Sequence, residues 1–273
     1  MSCTASASPL TQWQNLAQQQ QLSQQAYWHI LLRYENKKGQ KLGSIVKQPS
    51  FFVSAEGANN PQAELQATLN ALVNPDPTLK VDDTVACKFP ARVAWLRQQL
   101  QITESDLATT ACPALDAWLT GINPHQATLV FAADFTNNPS SMFGHTLLRI
   151  DTPDQTEDTR LLAYAVNYAA QTNTSNGLEF AYKGLTGGYA GAFSILPYYE
   201  KVKEYNDFEN RDLWEYQLNL TPQEITQGLK HLWEIKTVNF PYYFLSSNCS
   251  YQLLGLLEAA RPNTYLRQDF PVY

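Results

Sequence analysis

Apolar residues recur three and four positions apart through the first 120 residues, the spacing of helices that bury one face. Pro9 opens a segment carrying Trp13 and Leu16, a glutamine run at 18–21 interrupts it as an exposed face, and Ser23 stands where it can cap a second helix. In that second helix Ala26, Tyr27, Ile30, Leu31 and Tyr34 share one side. Phe51-Phe52-Val53 reads as a short strand leading into GANNPQAELQATLNALV, where Asn60 can cap, Pro61 suits the first helical position and Glu64 sits in the first turn. Further helix is expected at 89–101 and 113–120.

From Gly121 the texture changes. QATLVFAADF, HTLLRI, RLLAYAVNYAA, GAFSILPYY and RDLWEYQLNL are short segments rich in aromatic and β-branched residues, and they predict a sheet. Two helices are set into it. TPQEITQGLKHLWEI has Thr221 as cap, Pro222 at the first position and Glu224 completing a capping box; the other follows Cys249, with Leu253, Leu254, Leu256 and Leu257 as its apolar stripe. The pattern predicts an α+β chain: a mainly helical N-terminal region, 1–120, layered on an antiparallel sheet region, 121–273.

Composition narrows the function classes. With 44% hydrophobic and 16% charged residues the 273-residue chain reads as globular, and a net charge of −6 without a clustered Lys/Arg surface argues against nucleic acid as a partner. No run approaches the ~18 consecutive apolar residues of a membrane span. The start, MSCTASASPL, lacks a charged segment followed by an apolar run, so no signal peptide is expected within it. The four cysteines, at 3, 87, 112 and 249, form no CxxC pair and stand at no zinc-like spacing from a histidine, so neither a metal nor another cofactor is expected. Cys87 and Cys112 are either a disulfide closing a 24-residue loop or two buried thiols; the bond would imply an oxidising compartment.

The candidate chemistry centres on SSNCSYQLLGLLEAA. Ser246, Ser247 and Asn248 suit a capping region, which puts Cys249 in or just before the first turn, where free N–H groups and the helix dipole stabilise a thiolate. Such a cysteine is either packing or a nucleophile, and a nucleophile needs a base. Among four histidines, His29 and His231 read as surface or boundary residues and His125 as a solvated turn residue. His145, in NNPSSMFGHTLLRI, follows a Pro/Ser/Gly turn at the entrance of a strand. A histidine at a strand start and a cysteine at a helix start are the parts of papain-like enzymes, here in reversed order, as in permuted papain-like families.

Several blocks of the chain, SSMFGHTLLRI, LLAYAVNYAA, KGLTGGYAGAFSILPYYEKVKEYN, RDLWEYQLNLT and FLSSNCSYQLLGLLEAARP, resemble the Lnb N-terminal periplasmic domain family of bacterial lipoprotein N-acyltransferases. CKFPARVAWL is similar to an earlier segment of that family. The resemblance implies a circularly permuted papain-like (NlpC/P60-like) sheet in the periplasm or cell envelope. It further implies a thiol-dependent acyltransferase with a phospholipid acyl donor, a lipoprotein N-terminus as acceptor and work at a membrane surface. On this reading His145 deprotonates Cys249, and backbone N–H groups of the Cys249 helix with Asn248 hold the oxyanion. Asn167 is favoured as the third member, the alternative being an amide bonded to backbone alone. Tyr168 and Glu215 are substitutes, and Ser140 or Ser141 could line the site. GLTGGYAGAF is expected to form a mobile lip, whose aromatics Tyr189, Phe193, Tyr198 and Tyr199 either admit an acyl chain or belong to the core. The competing functions are a thiol hydrolase (peptidase or amidase) and a non-catalytic envelope-binding module.

Overall fold

The computed structural model describes residues 8–35, 42–107, 111–133, 144–172, 177–204, 212–268 and 270. It divides into two compact units, Met1–Asp116 and Ala117–Tyr273.

The first unit holds helices α1 (Pro9–Gln19) and α2 (Ala26–Leu31), a small antiparallel pair β1 (Tyr34–Glu35) and β2 (Gly43–Ser44), then α3 (Pro61–Val73), α4 (Val85–Lys88) and α5 (Pro90–Leu100). Asn60 caps α3 through a bond from the Ala63 N–H, with Pro61 at the first position, as the residue types dictate. Ser23 is not the cap of α2. It lies in a 3-10 turn over Leu22–Gln24, and Gln25 occupies the cap position without a side-chain bond. Nor do Phe51-Phe52-Val53 form a strand, because Pro49 opens a 3-10 turn over Pro49–Phe51. The Val53 and Ser54 N–H groups then donate to the Glu64 carboxylate (2.8–3.0 Å) instead of to a neighbouring strand.

Glu64 thus does more than favour a helix start. Fully buried, it also pairs with the fully buried Arg92 (3.0 Å), whose guanidinium sits 4.2 and 4.3 Å from the Phe51 and Phe89 rings. Cys87 and Cys112 are joined by a disulfide, with Cα atoms 5.2 Å apart.

Helix α6 (Pro113–Ile122) is followed by strands β3 (Gln126–Ala132), β4 (His145–Asp151) and β5 (Tyr164–Gln171), helix α7 (Gly177–Thr186), β6 (Tyr189–Pro197) and α8 (Tyr198–Lys203). Strand β7 (Leu213–Gln217), α9 (Pro222–Ile235), β8 (Phe240–Tyr242) and α10 (Cys249–Ala260) complete the second unit. The six strands form one antiparallel sheet in the order β7-β3-β4-β5-β6-β8, which makes the second unit α+β. Among the described residues no helix is long and apolar enough to cross a membrane.

The sheet is buried on both sides at β4. Leu148, Ile150 and Val166 line one face with Ile225 and Leu229 of α9 and Leu256 of α10. Gly228 lets the two helices approach, since a Cβ there would stand 3.1 Å from that of Ala260. On the other face Val130, Ala132, Leu147, Ala163 and Ala165 pack with Tyr198 of α8. The capping box of Thr221 and Glu224 forms as expected. Helix α9 is buried more widely than its pattern suggests: His231, expected at the surface or boundary, is fully buried and bonded through Nδ1 to Glu234 (3.1 Å). The carboxylate one turn on gives the ring a partner inside the core.

GLTGGYAGAF is not a lip. Gly184, Leu185 and Thr186 end α7, Gly187 makes the turn with φ of +75°, and β6 begins at Tyr189. Of its expected aromatics, Tyr189, Phe193 and Tyr198 belong to the core and only Tyr199 is exposed.

Candidate active site

The position of Cys249 follows from the cap of α10. Asn248 has an extended backbone; its Oδ1 accepts the Tyr251 N–H (3.2 Å) and its Nδ2 donates to the Phe244 carbonyl (3.1 Å), so the preceding turn is tied to the helix start. Gln252 adds a buried bond from Nε2 to the Ser247 hydroxyl (2.7 Å). With Leu253, Leu256 and Ala259 buried behind it, the helix holds Cys249 as its first residue, a free thiol only 5% exposed. The amide of Asn248 is spent on this cap, which departs from the oxyanion role expected of it.

His145 begins β4. Gly144 before it has φ of +82°, and a Cβ there would fall 2.6 Å from the Phe131 ring, so both the turn and the packing require glycine. The imidazole Nε2–H donates to Asn167 Oδ1 (2.6 Å), and Asn167 Nδ2 donates to the Ser194 hydroxyl (3.3 Å). Asn167 and Ser194 are register partners on β5 and β6, so the sheet itself sets the amide orientation. With Nε2 engaged, Nδ1 is left for the hydrogen bond between the ring and the Cys249 side chain.

Electrostatics favour an ion pair. Burial pushes the Cys249 thiol up, but the His145 charge and hydrogen bond, the Thr146 N–H and the Ser250 hydroxyl outweigh it and pull the pKa down to about 7. Burial works against the charged imidazole too, yet the thiolate beside it and the bonds to Cys249 and Asn167 raise its pKa, with Lys201 opposing. Thr146 and Ser250, bonded to each other through their hydroxyls (2.8 Å), brace the strand start against the helix start.

Tyr242 completes the cluster. Its hydroxyl accepts the Cys249 N–H and bonds the Cys249 side chain, and burial followed by the thiolate charge raises its pKa. Nothing in FPYYF separates this tyrosine from a core aromatic, and only the pairing of β6 with β8 brings it to Cys249. Thr146 and Ser250 were legible only as neighbours of the two chosen residues.

The other expected residues fall elsewhere. Tyr168 is fully buried and stacks on Tyr242 with ring centres 5.7 Å apart, supporting the site from behind. Glu215 is committed to Arg149 (2.6 Å) and the Tyr198 hydroxyl (2.9 Å), so it is no third member. Ser140 and Ser141 lie outside the described residues. Among the described residues no group of three or more His, Cys, Asp or Glu side chains is placed to hold a metal ion.

A family model described as a domain of unknown function (DUF7843) matches residues 20–99, which contain the Glu64–Arg92 pair. A search of curated proteins and a search of solved structures each found no match. The model of the Lnb N-terminal periplasmic domain matches residues 114–273, more than half of the chain and all of the cluster around Cys249. The chain therefore belongs to the Lnb N-terminal periplasmic domain family, a membership that supports a periplasmic or cell-envelope setting.

Proposed function

We propose that the chain is a cysteine acyltransferase with a circularly permuted papain-like fold, moving an acyl chain from a phospholipid to the N-terminal amine of bacterial lipoproteins. The observation that carries this reading is Cys249 at the start of α10 with His145 bonded to its side chain and Asn167 on the far ring nitrogen. Strand-borne histidine before helix-borne cysteine, with α10 packed on β4 and β5, supports the permuted assignment. The substrate class is carried over from the resemblance to lipoprotein N-acyltransferases, with which the family match is consistent.

In the first half-reaction the Cys249 thiolate attacks a phospholipid ester carbonyl, forming the C–S bond and a tetrahedral oxyanion. The Tyr242 hydroxyl, held at the sulfur by the Cys249 N–H that it accepts, supplies an oxyanion donor. As the ester C–O bond breaks, the His145 imidazolium gives its proton to the departing glycerol oxygen, leaving a lysophospholipid and a thioester. In the second half-reaction a neutral amine attacks the thioester, His145 takes the proton shed by nitrogen, and the thiolate leaves as the amide forms. Asn167 keeps the ring turned toward sulfur throughout.

Intact-protein mass spectrometry after incubation with phospholipid tests the reading. One added acyl chain, absent in Cys249→Ala and discharged onto an N-terminal cysteinyl peptide, is the expected result. Discharge to water alone would assign the hydrolase, and no adduct in the parent protein would remove the enzyme reading.

A further inference from the structure

Helix α7 carries a surface that the chemistry above leaves unused. Leu178, Tyr182 and Leu185 recur at i, i+4 and i+7 and are 85%, 69% and 57% exposed, while Phe180 and Gly184 face inward. Leu245, 69% exposed, is the residue after Phe244 in the turn leading to Cys249. That turn is fastened to the helix. The Phe244 N–H donates to the Gly184 carbonyl (2.9 Å), the Phe180 and Phe244 rings lie 5.1 Å apart, and a Cβ on Gly184 would stand 2.1 Å from the Phe244 ring. Since Asn248 also bonds the Phe244 carbonyl, one chain of contacts joins the α7 stripe to the cap that positions the nucleophile.

From these observations we infer that Leu178, Tyr182, Leu185 and Leu245 form a docking surface for a zwitterionic phospholipid bilayer, holding its acyl chains beside the Cys249 turn. The choice of lipid rests on the acyl-transfer reading, and two features of the surface agree with it. The flanking charges, Glu179 and Lys183, close on each other (2.6 Å) and leave no excess positive charge to seek anionic headgroups. Tyr182 offers an apolar ring with a polar tip between two leucines, the chemistry suited to the headgroup boundary. Four side chains are also far fewer than the ~20–30 residues per side of a stable protein interface, which disfavours a second copy as the occupant.

The test is flotation of the full chain carrying Cys249→Ala, so that binding is read without catalysis, on vesicles of phosphatidylcholine and phosphatidylethanolamine. Binding without anionic lipid and insensitive to salt is expected, with at least tenfold loss in Leu178→Glu/Leu185→Glu. In the otherwise native chain, that double variant should keep parent-like alkylation of Cys249 and acylation from a dispersed short-chain phospholipid while losing acylation from vesicles. Equal flotation of parent and variant, or flotation only on anionic vesicles at low salt, would overturn the proposal. A parent that is dimeric where the double variant is monomeric would assign the stripe to self-association instead and overturn it as well. If no donor acylates the parent but flotation and its loss persist, the docking surface stands and the acyl-transfer reading falls.

Discussion

Removing the imidazole beside Cys249 should move its thiol back toward ordinary acidity. In the parent the pKa is held at about 7 against an ordinary value of 9.0, with His145 the largest contribution opposing burial. His145→Ala deletes that contribution and leaves burial opposed only by the Thr146 N–H and the Ser250 hydroxyl, so the pKa rises toward its ordinary value, by on the order of two units or roughly 3 kcal/mol of lost thiolate stabilisation. At pH 7 the ionised fraction falls from about a half to about 1%, roughly 50-fold. Part of this is regained because a less acidic thiolate is the better nucleophile, by about 8-fold over two units at a Brønsted slope of about 0.45. The net alkylation rate at pH 7 should therefore drop only about 6-fold, and the informative quantity is the midpoint. Iodoacetamide labelling of Cys249 across pH 5–10, in a Cys3→Ser background so that one free thiol reports, should show the midpoint moving up from about 7 toward the ordinary value. A midpoint within half a unit of the parent would refute the ion pair, whatever the variant did to acyl transfer. The sign carries over to activity: acylation should fall as pH drops through about 7, because the thiolate is then protonated.

Asn167→Ala should lower acyl-enzyme formation by roughly 10- to 100-fold with little change in urea midpoint, since it frees the imidazole to turn; Asn167→Asp should recover part of the rate, and equal rates in all three would deny the positioning role. Tyr242→Phe should cost about 100-fold in acylation while raising the alkylation midpoint by less than His145→Ala does, the signature of a lost oxyanion donor beyond a weakened thiolate. In the first unit, Glu64→Gln leaves Arg92 buried without its counter-charge and should destabilise by about 3–5 kcal/mol in chemical denaturation; a loss below about 1 kcal/mol would mean the pair is relieved by water. Reduction of the Cys87–Cys112 disulfide reopens its loop and should cost roughly 3 kcal/mol in the same assay, with no shift in a reducing agent counting against a structural role.

The signals that held were local ones. Proline and asparagine at the start of α3, the capping box of α9 and the aromatic and β-branched runs of β3, β4 and β5 each fix backbone geometry through neighbours a few residues away, and each element forms where those neighbours put it. The same locality placed Cys249 at a helix start and His145 at a strand start. It failed where a distant group took over: the Glu64 carboxylate draws the N–H groups after Phe52 out of any strand, and Glu234 lets His231 enter the core. Helix α8 and strand β8 are short elements whose form depends on the sheet they cover or extend.

Periodicity and residue type thus determined the fold class, the main elements and the two candidate residues, Cys249 and His145. Only tertiary structure decided that they meet. The strand order β4-β5-β6-β8 sets Asn167 and Ser194 behind the His145 ring and brings Tyr242 to the Cys249 N–H. The packing of α10 on β4 and β5 sets the sulfur at the start of β4, and the same pairing that puts Glu215 on Arg149 removes it from the site. Such contacts join residues far apart along the chain, and no short-range pattern encodes them. A lowered thiol pKa and an oriented imidazole exist only once the sheet has closed around them.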